Sequence, residues 1–280
     1  MKSQIKEIIK DIKDKLSTEK NIVSLSVVGS FSNKDKALEK FNDLDLVIIC
    51  KKLNKSFFDN LKRLINLLKK RYSSEKLGIT SSFKIGPIKI KSVKEKTIMI
   101  HFLVYTLRGY KKYESALTRF SFQHYKPLIG TPLLQINNVS LVSINDLFNK
   151  IDGIPAMKHW IRKKEIFYLE PNSRGIRTIK RKLDNNLYLE VLFYSVLRLS
   201  SNMLRAQKVY VDTDLNMCRE FEKRFSIKSN MLPFEIYNLK ALLRKDKLFS
   251  KSEIETLKEK ILRFIKECES ILRTDRFIPN

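Results

Sequence analysis

Apolar residues recur at Ile5, Ile8, Ile9, Ile12 and Leu16, the spacing of one helical face, so residues 4–16 are predicted to form an amphipathic helix. Asn21 interrupts that rhythm. The segment IVSLSVVGS then alternates as a half-buried strand does and runs into Gly29-Ser30. Residues 34–41 read as a short helix or a loop. DLDLVIIC, from Asp43 to Cys50, is almost wholly apolar after its two acids, the pattern of a buried central strand. Ser56 is a candidate helix cap, with Phe57, Leu61, Leu64, Ile65 and Leu68 on the inner face and a basic KKRY end. SSFKIGPIKIK and TIMIHFLVYT are further strand candidates. The expected fold is therefore α+β, a mixed sheet with helices over residues 1–126.

Pro127, Gly130 and Pro132 punctuate residues 127–150, which read as a junction. From about residue 143 the periodicity turns helical, including the stretches PAMKHWIRKKEIFYL and RTIKRKLDNNLYLEVLFYSVLRLSSNMLRAQ. Glycine does not occur after Gly175, which suits short connections between packed helices. Residues 151–280 are thus expected to form an all-α bundle that binds an acceptor.

Composition narrows the function. The chain has 280 residues, 56 Lys+Arg against 30 Asp+Glu, and a formal net charge of +26. Residues 46–113 hold seventeen Lys/Arg against Asp59, Glu75 and Glu95, and Lys158–Lys182 holds nine against Glu165 and Glu170. Such concentration points to a polyanion partner, RNA, DNA or a phosphate-rich small molecule; a lysine-rich genome is the plain alternative. Cys50, Cys218 and Cys268 are scattered, with no CxxC pair, as expected of reduced thiols in a cytoplasmic protein. No apolar run approaches the roughly 18 residues of a membrane span, and the charged first residues are no secretory signal.

The chemistry concentrates in Val27–Cys50. Strand alternation puts Asp43 and Asp45 on one face, with Leu44 on the other. Two neighbouring carboxylates repel unless a cation lies between them, and Mg²⁺ held by one or two carboxylates plus substrate phosphate is the usual solution. Gly29 lets a phosphate approach the backbone, and Ser30 offers a hydroxyl and N–H groups at a turn.

Gly-Ser followed by Asp-Leu-Asp at the start of an apolar strand resembles the nucleotidyltransferase superfamily typified by DNA polymerase beta. That superfamily includes tRNA CCA-adding enzymes, antibiotic nucleotidyltransferases and nucleotidyltransferase toxins paired with HEPN antitoxins. The resemblance covers about the first 110 residues. It implies a polymerase-beta-like domain that transfers a nucleoside monophosphate from an NTP to an acceptor hydroxyl. Gly29 and Ser30 would hold the triphosphate, and Asp43 and Asp45 would ligate Mg²⁺ or Mn²⁺. RNA such as tRNA is the expected acceptor on charge grounds. A small antibiotic-type acceptor, or a degenerate RNA-binding or regulatory protein, is the alternative. An antitoxin-type partner cannot be read from the residues.

The family's third carboxylate, on a later strand, has no counterpart in TIMIHFLVYT; His101 breaks that apolar run instead. His101 could serve as general base or nitrogen ligand, or as a hydrogen-bonded structural residue. Glu190, an acid among apolar residues, could supply the missing carboxylate, or the activity could be lost. Arg174, Lys180 and Arg181 could dock acceptor phosphates or form a solvated face. Tyr105, Tyr110, Tyr113 and Trp160 could stack on bases or simply pack. Arg119 and His124 match a HEPN ribonuclease spacing that reads as chance, and neither a Walker A loop nor a GxSxG elbow occurs.

Overall fold

In a computed structural model, the structure describes residues 2–32, 43–73, 77–86, 97–113, 125–136, 143–149, 152–211, 213–243 and 248–274. The chain divides into two units. One comprises residues 1–139 and 168–179, the other 140–167 and 180–280.

The first unit is built on a five-stranded mixed sheet. Its strands are β1 (Ile22–Val28), β2 (Asp43–Cys50), β3 (Gly78–Ser82), β4 (Thr97–Thr106) and β5 (Tyr125–Gly130). They lie in the order β3-β4-β2-β1-β5. β4 runs parallel to both β2 and β3, whereas β1 is antiparallel to β2 and β5. The apolar run of β2 belongs at the centre of the sheet, and there it lies. Helices α1 (Lys2–Leu16) and α2 (Lys55–Ser73) cover one face. Their stripes, among them Ile5, Ile8, Ile12, Phe57, Leu61 and Leu68, join Leu44, Leu46, Ile48, Ile100 and Phe102 in one buried core. The cap of α2 is Asn54, whose Oδ1 accepts from the Phe57 N–H at 2.8 Å, rather than Ser56.

The other sheet face carries a smaller core of Val28, Val47, Ile49, Leu103, Tyr105 and Tyr110, with Ile85 and Ile176 against it. Pro127 sits in β5, opposite Ser26. β5 ends the sheet order, and an edge strand is where a residue without an N–H costs no ladder bond. The helix α3 (Leu107–Tyr113) follows β4 directly.

The second unit is largely helical. It contains α5 (Ile144–Leu147), α6 (Ile154–Lys163), α7 (Asn185–Ala206), α8 (Asp214–Arg224), α9 (Leu232–Leu243) and α10 (Lys251–Leu272); the short α4 (Leu133–Ile136) belongs to the first unit. Side chains satisfy the N-terminal backbone donors, as Ser250 and Glu253 do in a reciprocal capping box at α10. One segment departs from the helical expectation. Residues 165–182 form β6 (Glu165–Asn172) and β7 (Gly175–Lys182), a hairpin whose tip, residues 168–179, belongs to the first unit. Gly175, at φ +134°, supplies backbone freedom at the turn, and β6 buries Ile166, Tyr168 and Leu169.

Among the described residues no helix is long and apolar enough to cross a membrane. The three cysteines are free and buried, and burial pushes the Cys50 thiol up to about 12.

Candidate active site

The site is built across four adjacent strands, β1, β2, β4 and β3. β1 finishes at Val28, which pairs with Asp45; Asp45 pairs across the parallel ladder with His101, and His101 with Ser82. Paired residues share a sheet face, so Val28, Asp45, His101 and Ser82 form a row, with Asp43 and Met99 in the next row on the same face. The expectation that Asp43 and Asp45 share a face therefore rests on an observed strand. At a separation near 6.5 Å and an effective dielectric near 20, two such charges repel by about 2–3 kcal/mol.

Asp45 is the more deeply placed acid, 8% exposed, while Asp43 is half-buried at the strand mouth. Asp45 Oδ1 lies 3.1 Å from His101 Nδ1, and His101 Nε2 lies 2.6 Å from the Lys84 carbonyl oxygen. A carbonyl only accepts, so Nε2 carries a hydrogen. Nδ1 faces a carboxylate oxygen, so it too needs a hydrogen if Asp45 is ionised. The ring is thus held from both sides, by the Asp45 carboxyl and by the Lys84 carbonyl. Both ring nitrogens have hydrogen-bond partners, as in the structural alternative that the sequence left open beside a base or nitrogen ligand.

Gly29 completes the floor. It opens a short 3₁₀ turn, Gly29–Ser32, at φ +72°, where an L side chain is strained. A Cβ there would lie 2.7 Å from Asp45 Oδ2. The same carboxyl is pinned through Oδ1 by His101, so it has little room to give way. The glycine thus leaves room for the Asp45 carboxyl, which any side chain there would meet. Ser30 lies in the same turn, and its side chain is outside the described residues.

Two carboxylates on one face, one of them anchored, are a hard-oxygen donor set suited to Mg²⁺ or Mn²⁺ that also takes oxygens from substrate phosphate. Among the described residues no cluster of three or more His, Cys, Asp or Glu could hold a metal ion. Among the described residues no third carboxylate enters this row; β4 contributes His101 to it. Glu190 is on an exposed part of α7, so the apolar residues beside it in sequence face away from it.

The three cations expected to dock phosphate, Arg174, Lys180 and Arg181, all lie on the β6–β7 hairpin segment. Arg174 belongs to the hairpin tip in the first unit, Lys180 and Arg181 to the second. Lys180 Nζ is 3.7 Å from Glu165 Oε1 and lies over the Phe167 ring, and strand alternation sends Arg181 the other way. Tyr105, Tyr110 and Trp160 are at most 2% exposed and serve packing, with Tyr105 and Tyr110 meeting edge to face at 5.5 Å. Arg119, His124, Glu75, Glu95 and the Tyr113 side chain lie outside the described residues. Sequence reading missed the Lys84 carbonyl, because a backbone acceptor leaves no residue-type signal.

No family model matches the sequence, and no curated protein sequence matches it significantly. Among solved structures, the chain is similar to spectinomycin adenyltransferase AAD(9) from Enterococcus faecialis, described with ATP and spectinomycin. The match has a TM-score of 0.48 at 9% identity and covers 94% of this chain and 98% of that one. The functional reading of this chain rests on its own side chains.

Proposed function

We propose that the protein is a metal-dependent nucleotidyltransferase that moves a nucleoside monophosphate from an NTP to an acceptor hydroxyl. The observation that carries this is the anchored Asp45, buried, held by His101 at 3.1 Å and seated on Gly29, with Asp43 on the same strand face. Acids kept together at such a cost suit a site that works with a cation and a polyphosphate.

In the reaction the acceptor oxygen bonds to the α-phosphorus, the bond to the bridging oxygen breaks, and pyrophosphate leaves with that electron pair. The acceptor proton passes to solvent. Mg²⁺ or Mn²⁺, when bound by Asp43 and Asp45, supplies charge neutralisation for the triphosphate and its leaving group. The chain's own contribution is placement: His101 fixes Asp45, and the Gly29 turn offers backbone close to the phosphates. The net charge of +26 supports RNA as the acceptor class.

The test is label transfer from each α-labelled NTP, with Mg²⁺ or Mn²⁺, into total RNA. Label in an RNA band that disappears in the Asp43→Ala/Asp45→Ala double variant is the expected result. Failure of every NTP to label RNA, together with no Mg²⁺-dependent NTP binding, would overturn the proposal.

A further inference from the structure

Beyond the acids, β2 and β4 run on through Cys50, paired with Thr106, and both chains then turn basic at once: Lys51-Lys52 and, past Leu107, Arg108. The hairpin tip brings Arg174 to the same place. These four cations line a groove of about 650 Å³ in the first unit, with Leu53 and Ile176 beside them, and among the described residues no Asp or Glu lines it. Lys51, Lys52, Arg108 and Arg174 are all exposed.

Neighbouring cations are handled differently. Arg177, three residues from Arg174 on the same hairpin, pairs with Glu170. A cavity beside α1 and α2 contains Arg71 and Asp11, which pair at 2.6 Å, and one in the second unit contains Lys260 and Glu235, paired at 2.8 Å. Among the described residues no carboxylate pairs with any of the four groove cations. Four like charges around one open depression repel one another, and an anion with several charges relieves that repulsion.

We propose that this groove binds the phosphate backbone of RNA, as a site separate from the Asp43/Asp45 centre. Along β2 the two are separated by the strand from Asp45 to Lys51, about 20 Å at roughly 3.3 Å per residue, with the small core of Val47, Ile49, Leu103 and Tyr105 on the same face between them. A single NTP does not span that distance, whereas a polynucleotide does. The groove offers charge and little to read base edges, so it grips backbone and leaves sequence unread. Its choice of RNA over DNA rests on the acceptor proposed above; its binding does not require nucleotidyl transfer.

The experiment measures binding of a fluorescent 20-mer single-stranded RNA, and of the same sequence as DNA, to the full chain across a salt series. The groove variant Lys51→Gln/Lys52→Gln/Arg108→Gln/Arg174→Gln is compared with Lys6→Gln/Lys10→Gln/Lys69→Gln/Lys70→Gln. The second set removes the same charge from exposed positions of α1 and α2, on the helices that cover the opposite sheet face. The groove variant is expected to lose RNA affinity at least about tenfold, and the slope of log K against log salt to fall by about 3, near 0.7 per phosphate contact. The control set keeps its slope. Photo-crosslinking of 4-thiouridine RNA to the unaltered protein is expected to label peptides containing residues 51–53, 107–109 or 173–176, which does not depend on a variant's folding. Equal losses in both sets, an unchanged groove variant, crosslinks elsewhere, or tighter binding of DNA would each overturn the proposal.

Discussion

The two ends of β2 treat charge in opposite ways. At its start Asp45 is withdrawn from water, tied through one oxygen to His101 and pressed against Gly29. At its end Lys51 and Lys52 stand in solvent beside Arg108. Burial makes the first end a matter of ångströms, because a desolvated carboxylate is felt strongly and tolerates little displacement. Exposure makes the second a matter of sums, because screened cations add up and trade places at small cost. Removing atoms should therefore be severe and specific at the acidic end, graded and salt-dependent at the basic one.

The sharpest break of that contrast is Asp45→Asn, which keeps the shape and removes the charge. Label transfer is expected to fall by about 10³-fold, the several kcal/mol that charge stabilisation at such a site supplies, with RNA affinity unchanged. Phe102→Ala works on what both ends share. Phe102 is fully buried in the core under β4, so its loss should cost about 3–5 kcal/mol in denaturant unfolding and weaken both ends together.

His101→Gln comes next. It leaves the Asp45 anchor incomplete, and we expect a loss of about 1–3 kcal/mol in stability and at least about a tenfold loss of turnover. The readout particular to a positioning role is a higher Mg²⁺ concentration for half-maximal activity, which a change in core packing alone would not give. Gly29→Ala adds a methyl at φ +72° and 2.7 Å from Asp45 Oδ2, and should cost about 1–3 kcal/mol with turnover reduced less than in Asp45→Asn. The smallest effect concerns neither end. With its pKa raised to about 12 by burial, the Cys50 thiol should resist Ellman's reagent near pH 8 until the protein unfolds, while a free thiol of pKa near 8.5 would react.

Much of this was legible in the residues. The apolar stripes of α1 and α2, the buried run of β2 and the long strand TIMIHFLVYT each announce their element, because periodicity and burial agree there. The pair Asp43 and Asp45 is legible for the same reason: strand period alone puts both on one face. Residues 165–182 were not. Their mixture of aromatic, Ile and basic residues fits a helix as well as a strand, and the deciding signal was local, the turn residues Pro171, Asn172, Ser173 and Gly175. For His101 a hydrogen-bonded structural role was among the readings, but its partners could not be named. Its partners are a side chain on another strand and a backbone carbonyl after a third, and only register brings them together. The basic groove was hidden because its cations come from three separate stretches, each followed in sequence by unrelated residues.

The hairpin has a consequence for how the chain must be made. Residues 168–179 belong with a unit whose other residues end at 139, and Leu169 closes a backbone bridge to Ile85. A ribosome therefore releases the whole sheet well before it releases the piece that completes the unit. At about 5–20 residues per second, an emerging chain spends seconds with Ile85 lacking its backbone partner and with part of the small core unfilled. Cutting the gene after residue 139 would freeze the chain in that state, so no single cut separates the two units.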